Sequence, residues 1–179
     1  MSTRSFTIFE GDIDYFAENV SGELCRFYRH CDGYPEGHGL CMAVAAVDAI
    51  ASGRANNRNM ASAIIGGLWA NGSVIEFETA DSAPHGDLEY IYLVSIHSDY
   101  TGRKLRGTDD AGVNIAVYSI GWDEPYSVAL SHEPIFSGTP TEYIRHYKRE
   151  LRDWHLEGCV SSTEDFMRLV FPNGCEDDA

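Results

Sequence analysis

Tyr28-Arg29-His30-Cys31-Asp32-Gly33-Tyr34-Pro35-Glu36-Gly37-His38-Gly39 separates two kinds of periodicity. Before it, the run Leu24 to His30 reads as extended chain. Alternation sets Leu24, Arg26, Tyr28 and His30 on one face and Cys25, Phe27 and Arg29 on the other. After it, Leu40, Val44, Val47 and Ala51 recur at helical spacing, and the intervening alanines favour helix from about residue 39 to 51. Gly33 and Pro35 mark the turn between the two. A strand that turns a tight corner into a helix is the unit from which the fold is read.

Working outward, Phe6 and Ile8 suggest a short strand upstream, and Ile13, Phe16 and Val20 give one or two helical turns. Downstream, Met60, Ile64 and Leu68 mark a second helix over about 59–70. Its Gly66-Gly67 pair costs about 1 kcal/mol per glycine against alanine. The period then changes to two. Strand candidates are Val74–Phe77, Leu88–Ile96 and Val113–Ile120, with one or two more in Val128–Phe136. Residues 102–112 read as a polar hairpin loop. Thr139-Pro140-Thr141-Glu142 is a helix start, with a threonine cap, proline at the first position and glutamate at the third. Ile144, Tyr147, Leu151 and Trp154 form the apolar stripe of that helix. Ser161-Ser162-Thr163-Glu164 opens a last short helix with Phe166, Leu169 and Val170 inward. No repeat or linker divides the chain. The expectation is one α+β domain over residues 1–179, with an antiparallel sheet, three to four packed helices and a frayed acidic tail at 174–179.

Composition narrows the partners. Apolar residues make up 44% and charged residues 23%, which suits a globular chain. Twenty-eight acids against 13 bases give a formal charge of -15. Such a surface repels nucleic acid and anionic membrane and attracts basic partners. Acidic surfaces also serve solubility alone. Five cysteines, an odd number without a Cys-x-x-Cys pair, point to reduced thiols in a cytoplasm. No run of apolar residues is long enough to span a bilayer, and Met-Ser-Thr-Arg-Ser-Phe does not read as a signal peptide.

Four constellations carry candidate chemistry. Arg26, Tyr28, Arg29, His30, Asp32, Tyr34 and His38 offer guanidinium, phenol and imidazole groups ahead of a helix N-terminus, a set suited to an anionic, planar, nucleotide-like ligand. The same residues also suit a structural corner, with Arg29 paired to Asp32 or Glu36. A metal site could be built from His30, Asp32 and His38 together with His85, Asp87 and Glu89, were the two turns adjacent, and would support metal-assisted hydrolysis. Neither spacing matches a known metal motif. Cys31 lies between His30 and Asp32, but neighbouring strand residues face opposite ways, so covalent catalysis is disfavoured. Arg145, Lys148, Arg149 and Arg152 line one flank of the Tyr143–Trp154 segment, where a solvated face is the simpler reading and a homodimer contact another. There is no Walker loop and no Gly-x-Gly-x-x-Gly, so no cofactor is expected.

The stretch 28–39 resembles a group of short phage and bacterial proteins in which a strand ends in His-aromatic-Asp-Gly-Tyr-Pro and is followed by glycine and a helix. Glu89-Tyr90-Ile91-Tyr92 is similar to a later Glu-Tyr-x-Tyr strand of that group. Cys31 stands where the group has an aromatic residue, and nothing beyond residue 100 takes part in the resemblance. The resemblance implies a phage or mobile-element accessory protein of a bacterial cytoplasm, acting by binding and serving counter-defence. Two modes are open: an acidic surface docking on a basic host protein, or a pocket at the 28–39 turn that sequesters a nucleotide-like ligand. The alternative from another class is the metal-dependent hydrolase.

Overall fold

The computed structural model describes residues 3–12, 21–52, 60–70, 75–79, 87–96, 112–121, 124–147 and 160–171. The upstream helical turn near 13–20, residues 102–111 of the polar loop, the tail at 174–179 and His85 lie outside them.

The chain is α+β. Six strands form one sheet: β1 (Ser5–Asp12), β2 (Ser21–Arg29), β3 (Glu76–Glu78), β4 (Tyr90–Ile96), β5 (Val113–Ser119) and β6 (Phe136–Gly138). Their order is β3-β2-β1-β4-β5-β6. The expected antiparallel pairing holds for four of the five neighbours. The fifth, β1 with β4, is parallel: α1 and α2 return the chain to β3 beside β2, and the chain then passes from β3 to the far side of β1, where β4 runs in the same direction as β1 and β3. Among the described residues five α-helices accompany it: α1 (Leu40–Ala51), α2 (Met60–Ala70), α3 (Tyr126–Ala129), α4 (Pro140–His146) and α5 (Thr163–Val170).

Strand alternation gives the sheet two different faces. Phe9, Phe27, Tyr92, Val94, Ile115 and Val117 belong to the main core, which α1, α2, α4 and α5 complete. Phe6, Ile8, Tyr28 and Ile91 point the other way, into a smaller cluster with Ala129 of α3. Sequence periodicity gave α1 a single apolar side. Instead, every residue from Met42 to Ile50 is buried, as befits a helix that is apolar all round and packed between α2, α4, α5 and the sheet. Asp48 is tolerated there because its carboxylate accepts from Ser161 N (2.6 Å) and Ser161 Oγ (3.1 Å). Gly67 permits the contact with α2: a Cβ there would lie 2.7 Å from Ala45 Cβ.

Two local readings change. The stretch Val128–Phe136 is not simply strand. Val128 and Ala129 lie in α3, whose turn is set by Pro125, the carbonyl of which accepts from both amides, and only Phe136 enters β6. Leu24 leaves the row it was assigned, because the register steps from Phe9↔Cys25 to Glu10↔Glu23 and Leu24 is the extra residue of a bulge. The cap of α4 stands as read. Thr139 Oγ1 accepts from Glu142 N, and the Glu142 carboxylate accepts from Thr139 N (2.8 Å). Thr139→Ala is therefore expected to cost about 1 kcal/mol, read as a lower urea midpoint; an unchanged midpoint would show that the cap is idle.

Candidate functional site

The corner between β2 and α1 is built by contacts from three distant parts of the chain: the β1 end, β4 and α4. Strand β2 ends at Arg29, and Asp32 then takes a left-handed conformation, with φ 56°. Gly33 passes directly over the start of β1. A Cβ at Gly33 would stand 2.7 Å from both the amide N and the Oγ of Ser5. Its amide donates to Thr3 O (2.9 Å), and Tyr92 Oη donates to its carbonyl (2.7 Å). Pro35–Gly39 is a single π-helical turn, in which Leu40 N donates back to Pro35 O. Tyr143 Oη donates to the same carbonyl (3.0 Å) from α4.

That wider turn directs His38 into the molecule rather than outward. His38 is fully buried over the rung formed by Phe27, Thr7 and Tyr92, which are neighbours across β2, β1 and β4. Its ring stands edge-on to Phe27 (5.7 Å) and Tyr92 (5.2 Å). Arg29 Nη1 lies 3.2 Å from Nδ1, and Thr7 Oγ1 lies 3.0 Å from Nε2. A guanidinium can only donate, so Nδ1 is the acceptor and the proton sits on Nε2, directed at Thr7. Burial and the neighbouring Arg29 hold the imidazole well below its ordinary pKa, so it is neutral. Burial also pushes the phenols of Tyr92 and Tyr143 well up, with smaller contributions from neighbouring tyrosines and Glu36. The interior of the corner is thus a set of neutral donors, two phenols on backbone carbonyls and one imidazole on the Thr7 hydroxyl.

The seven residues singled out for a ligand divide between the two faces. Arg29 and His38 share the helical face. Arg26 and Tyr28 lie on the other. His30 is exposed beyond the end of β2 and approaches Tyr28, with Nδ1 3.3 Å from the phenol oxygen. Arg26 is buried, stacked on Phe6 (5.6 Å) and held by the carboxylate of Glu23. Arg29 Nε donates to Cys31 O (2.6 Å), which is the corner role with a different partner from Asp32 or Glu36. Asp32 is exposed, and Tyr34 presents its ring at 40% exposure.

Asp87 and Glu89, the described members of the second His/Asp cluster, reach the same end of the sheet as the 28–39 corner. Asp87 is near enough to Tyr28 to raise its pKa, after the larger effect of burial. Arg4 lies at the β1 end between them and pairs with Asp87 (2.6 Å). His38 lies on the helical face and His30 approaches Tyr28 on the other, so these two members of the metal set face apart, while His85 lies outside the described residues. Among the described residues no group of three or more His, Cys, Asp or Glu side chains is placed to hold a metal ion. The residues missed from sequence are Ser5, Thr7, Tyr92 and Tyr143. Tyr92 carried a signal, since it alternates with Tyr90 on one face of a strong strand. Tyr143 carried none, lying 108 positions from its acceptor.

No family model matches this chain, and neither a curated protein nor a solved structure does.

Proposed function

We propose that this protein acts by binding: its acidic exterior docks on the basic surface of a partner protein, such as the DNA-contacting groove of a host factor. This is the mode that fits the phage or mobile-element provenance implied by the 28–39 motif. One observation carries the reading. All five arginines among the described residues are engaged within the fold: Arg4 with Asp87, Arg26 with Glu23, Arg29 with Cys31 O and His38, Arg145 with Val170 O, and Arg168 with Asp165. Exposed carboxylates such as Asp32, Glu76, Glu89, Glu133 and Glu164 face solvent beside them. With a formal charge of -15, the exterior field is negative and draws cationic surfaces. The nucleotide-sequestering mode is supported less, because it needs Arg26 and Arg29 to turn outward from buried and half-buried contacts.

The test is kinetic. A panel of purified DNA-binding proteins is passed over the immobilised chain at about 50 and about 300 mM salt, with duplex DNA as competitor. A partner is expected to lose affinity at least tenfold at the higher salt. Glu89→Lys, Glu133→Lys and Glu164→Lys together move the formal charge from -15 to -9, two units each. They should slow association and leave dissociation nearly unchanged, the signature of long-range attraction. Binding indifferent to salt and to these reversals would overturn the proposal.

A further inference from the structure

We infer that the β3 edge of the sheet is where the partner lands, and that it accepts an extended basic segment as an added strand. The inference rests on the acidic-docking reading above and gives it a location.

Strand β3 is the end of the sheet, and among the described residues β2 is the strand beside it. Pairing with β2 fixes the faces: Tyr28 opposes Glu76, Phe27 opposes Phe77, and Arg26 opposes Glu78. Glu76 and Glu78 therefore share the Tyr28 face, while Phe77 lies on the helical face. Phe77 is 58% exposed although it continues the rung that runs through Phe27 (ring centroids 6.4 Å), Thr7 and Tyr92. The rung ends in a large apolar ring with protein on one side of it.

The chemistry of the edge selects its occupant. An added strand takes main-chain hydrogen bonds from the edge and places alternate side chains on opposite faces. Opposite Glu76-Phe77-Glu78 the complementary order is basic–apolar–basic. A second copy of this chain is disfavoured. Antiparallel self-pairing centred on Phe77 would set Glu76 against Glu78 twice, and like charges directly opposite repel. A short acidic edge is one of the ways sheets avoid pairing with themselves. Here the same charges favour a cationic strand, in agreement with the sign of the whole molecule.

The probe is the peptide Lys-Val-Lys-Val-Lys-Val-Lys, labelled for fluorescence anisotropy at low salt. It is expected to bind the wild-type chain, and the same peptide with N-methylated valines, equal in charge but unable to complete the ladder, is expected to bind at least about tenfold more weakly. Phe77→Ser should weaken the first peptide about fivefold, and Glu76→Gln with Glu78→Gln should do so by a similar factor, each with an unchanged circular dichroism spectrum. Equal binding of the two peptides would overturn the strand-addition inference, as would indifference to the β3 changes. Dimerisation of the free chain that Phe77→Ser abolishes would assign the edge to a second copy and overturn it too. These failures are distinguishable from failure of the docking reading. If only the location is wrong, partner binding keeps its salt dependence but ignores β3; if the docking reading is wrong, the salt dependence itself is missing.

Discussion

Gly39→Ala is expected to destabilise the fold by about 3 kcal/mol, even though alanine is normally the better helix former. Gly39 has φ -60° and ψ -44°, ordinary helical values, so its backbone makes no demand for glycine. The demand comes from space. A Cβ at Gly39 would stand 1.9 Å from Tyr143 Oη, 2.6 Å from Tyr143 Cζ and 2.9 Å from Tyr92 Cε1. Both rings are fully buried. Tyr143 is flanked by Phe136 at 4.7 Å and Tyr147 at 4.9 Å, so it has no empty rotamer to enter. Moving it also breaks its bond to Pro35 O, and moving Tyr92 breaks the bond to Gly33 O. For a domain of this size the melting temperature should fall by roughly 6–12 °C. A second change separates this cause from others. Tyr143→Leu shortens the obstructing side chain, so Gly39→Ala should cost markedly less on that background, a coupling of about 1 kcal/mol or more. If Gly39→Ala leaves the melting temperature unchanged or raises it, the three-way contact of Gly39, Tyr92 and Tyr143 is not tight.

Periodicity carried much of the fold. β2, β4, β5, α1, α2 and α4 follow from alternation, alanine content or the Thr139–Glu142 box, because in each case the signal is local. The failures were also local in cause. Val128, Leu130 and Ile135 suggested strand by composition, yet Pro125 supplies a first-turn carbonyl that closes a helical turn instead. The parallel pairing of β1 with β4 leaves no trace in either strand, since it depends on the chain passing from β3 at one edge over to the far side of β1. The site was less legible than the fold. Alternation alone could have separated Arg29 from Arg26, Tyr28 and His30, and it did. It could not give the direction of His38, which is set by a five-residue turn rather than by the usual helical pitch. Nor could it show that Thr7 and Arg29 would meet that imidazole from two strands. A stretch dense in polar groups therefore proved to be held partly from inside, with its carbonyls at Gly33 and Pro35 accepting from Tyr92 and Tyr143.

The neutral state of His38 leads to the second large effect, a steep loss of stability in mild acid. In the unfolded chain an imidazole takes up a proton near pH 6.5. In the folded chain it does not, because burial and then Arg29 hold its pKa well below that value. Between the two pKa values the unfolded state binds one more proton, so stability falls as pH falls. The slope is about 1.4 kcal/mol per pH unit, beginning as pH drops through roughly 6.5 and ending only at the depressed folded value. Above that range the contribution is fully present. The geometry states the same thing: protonation at Nδ1 would set an N–H against the Arg29 guanidinium 3.2 Å away, with the Phe27 and Tyr92 rings beside it. The measurement is the urea midpoint from about pH 5.5 to 7.5 for the wild type and for His38→Gln, whose amide can still donate towards Thr7 but does not titrate. His38→Gln is expected to lower stability by about 2 kcal/mol at pH 7.5, since the Arg29 contact and both ring contacts are lost. Its curve should be flatter than that of the wild type by about one proton. Surface histidines such as His30 and His132 are exposed in the folded state, so they remain in both proteins and cancel in the comparison. Parallel curves across this range would mean that His38 is protonated in the folded state, and the assignment of its proton to Nε2 alone would be wrong.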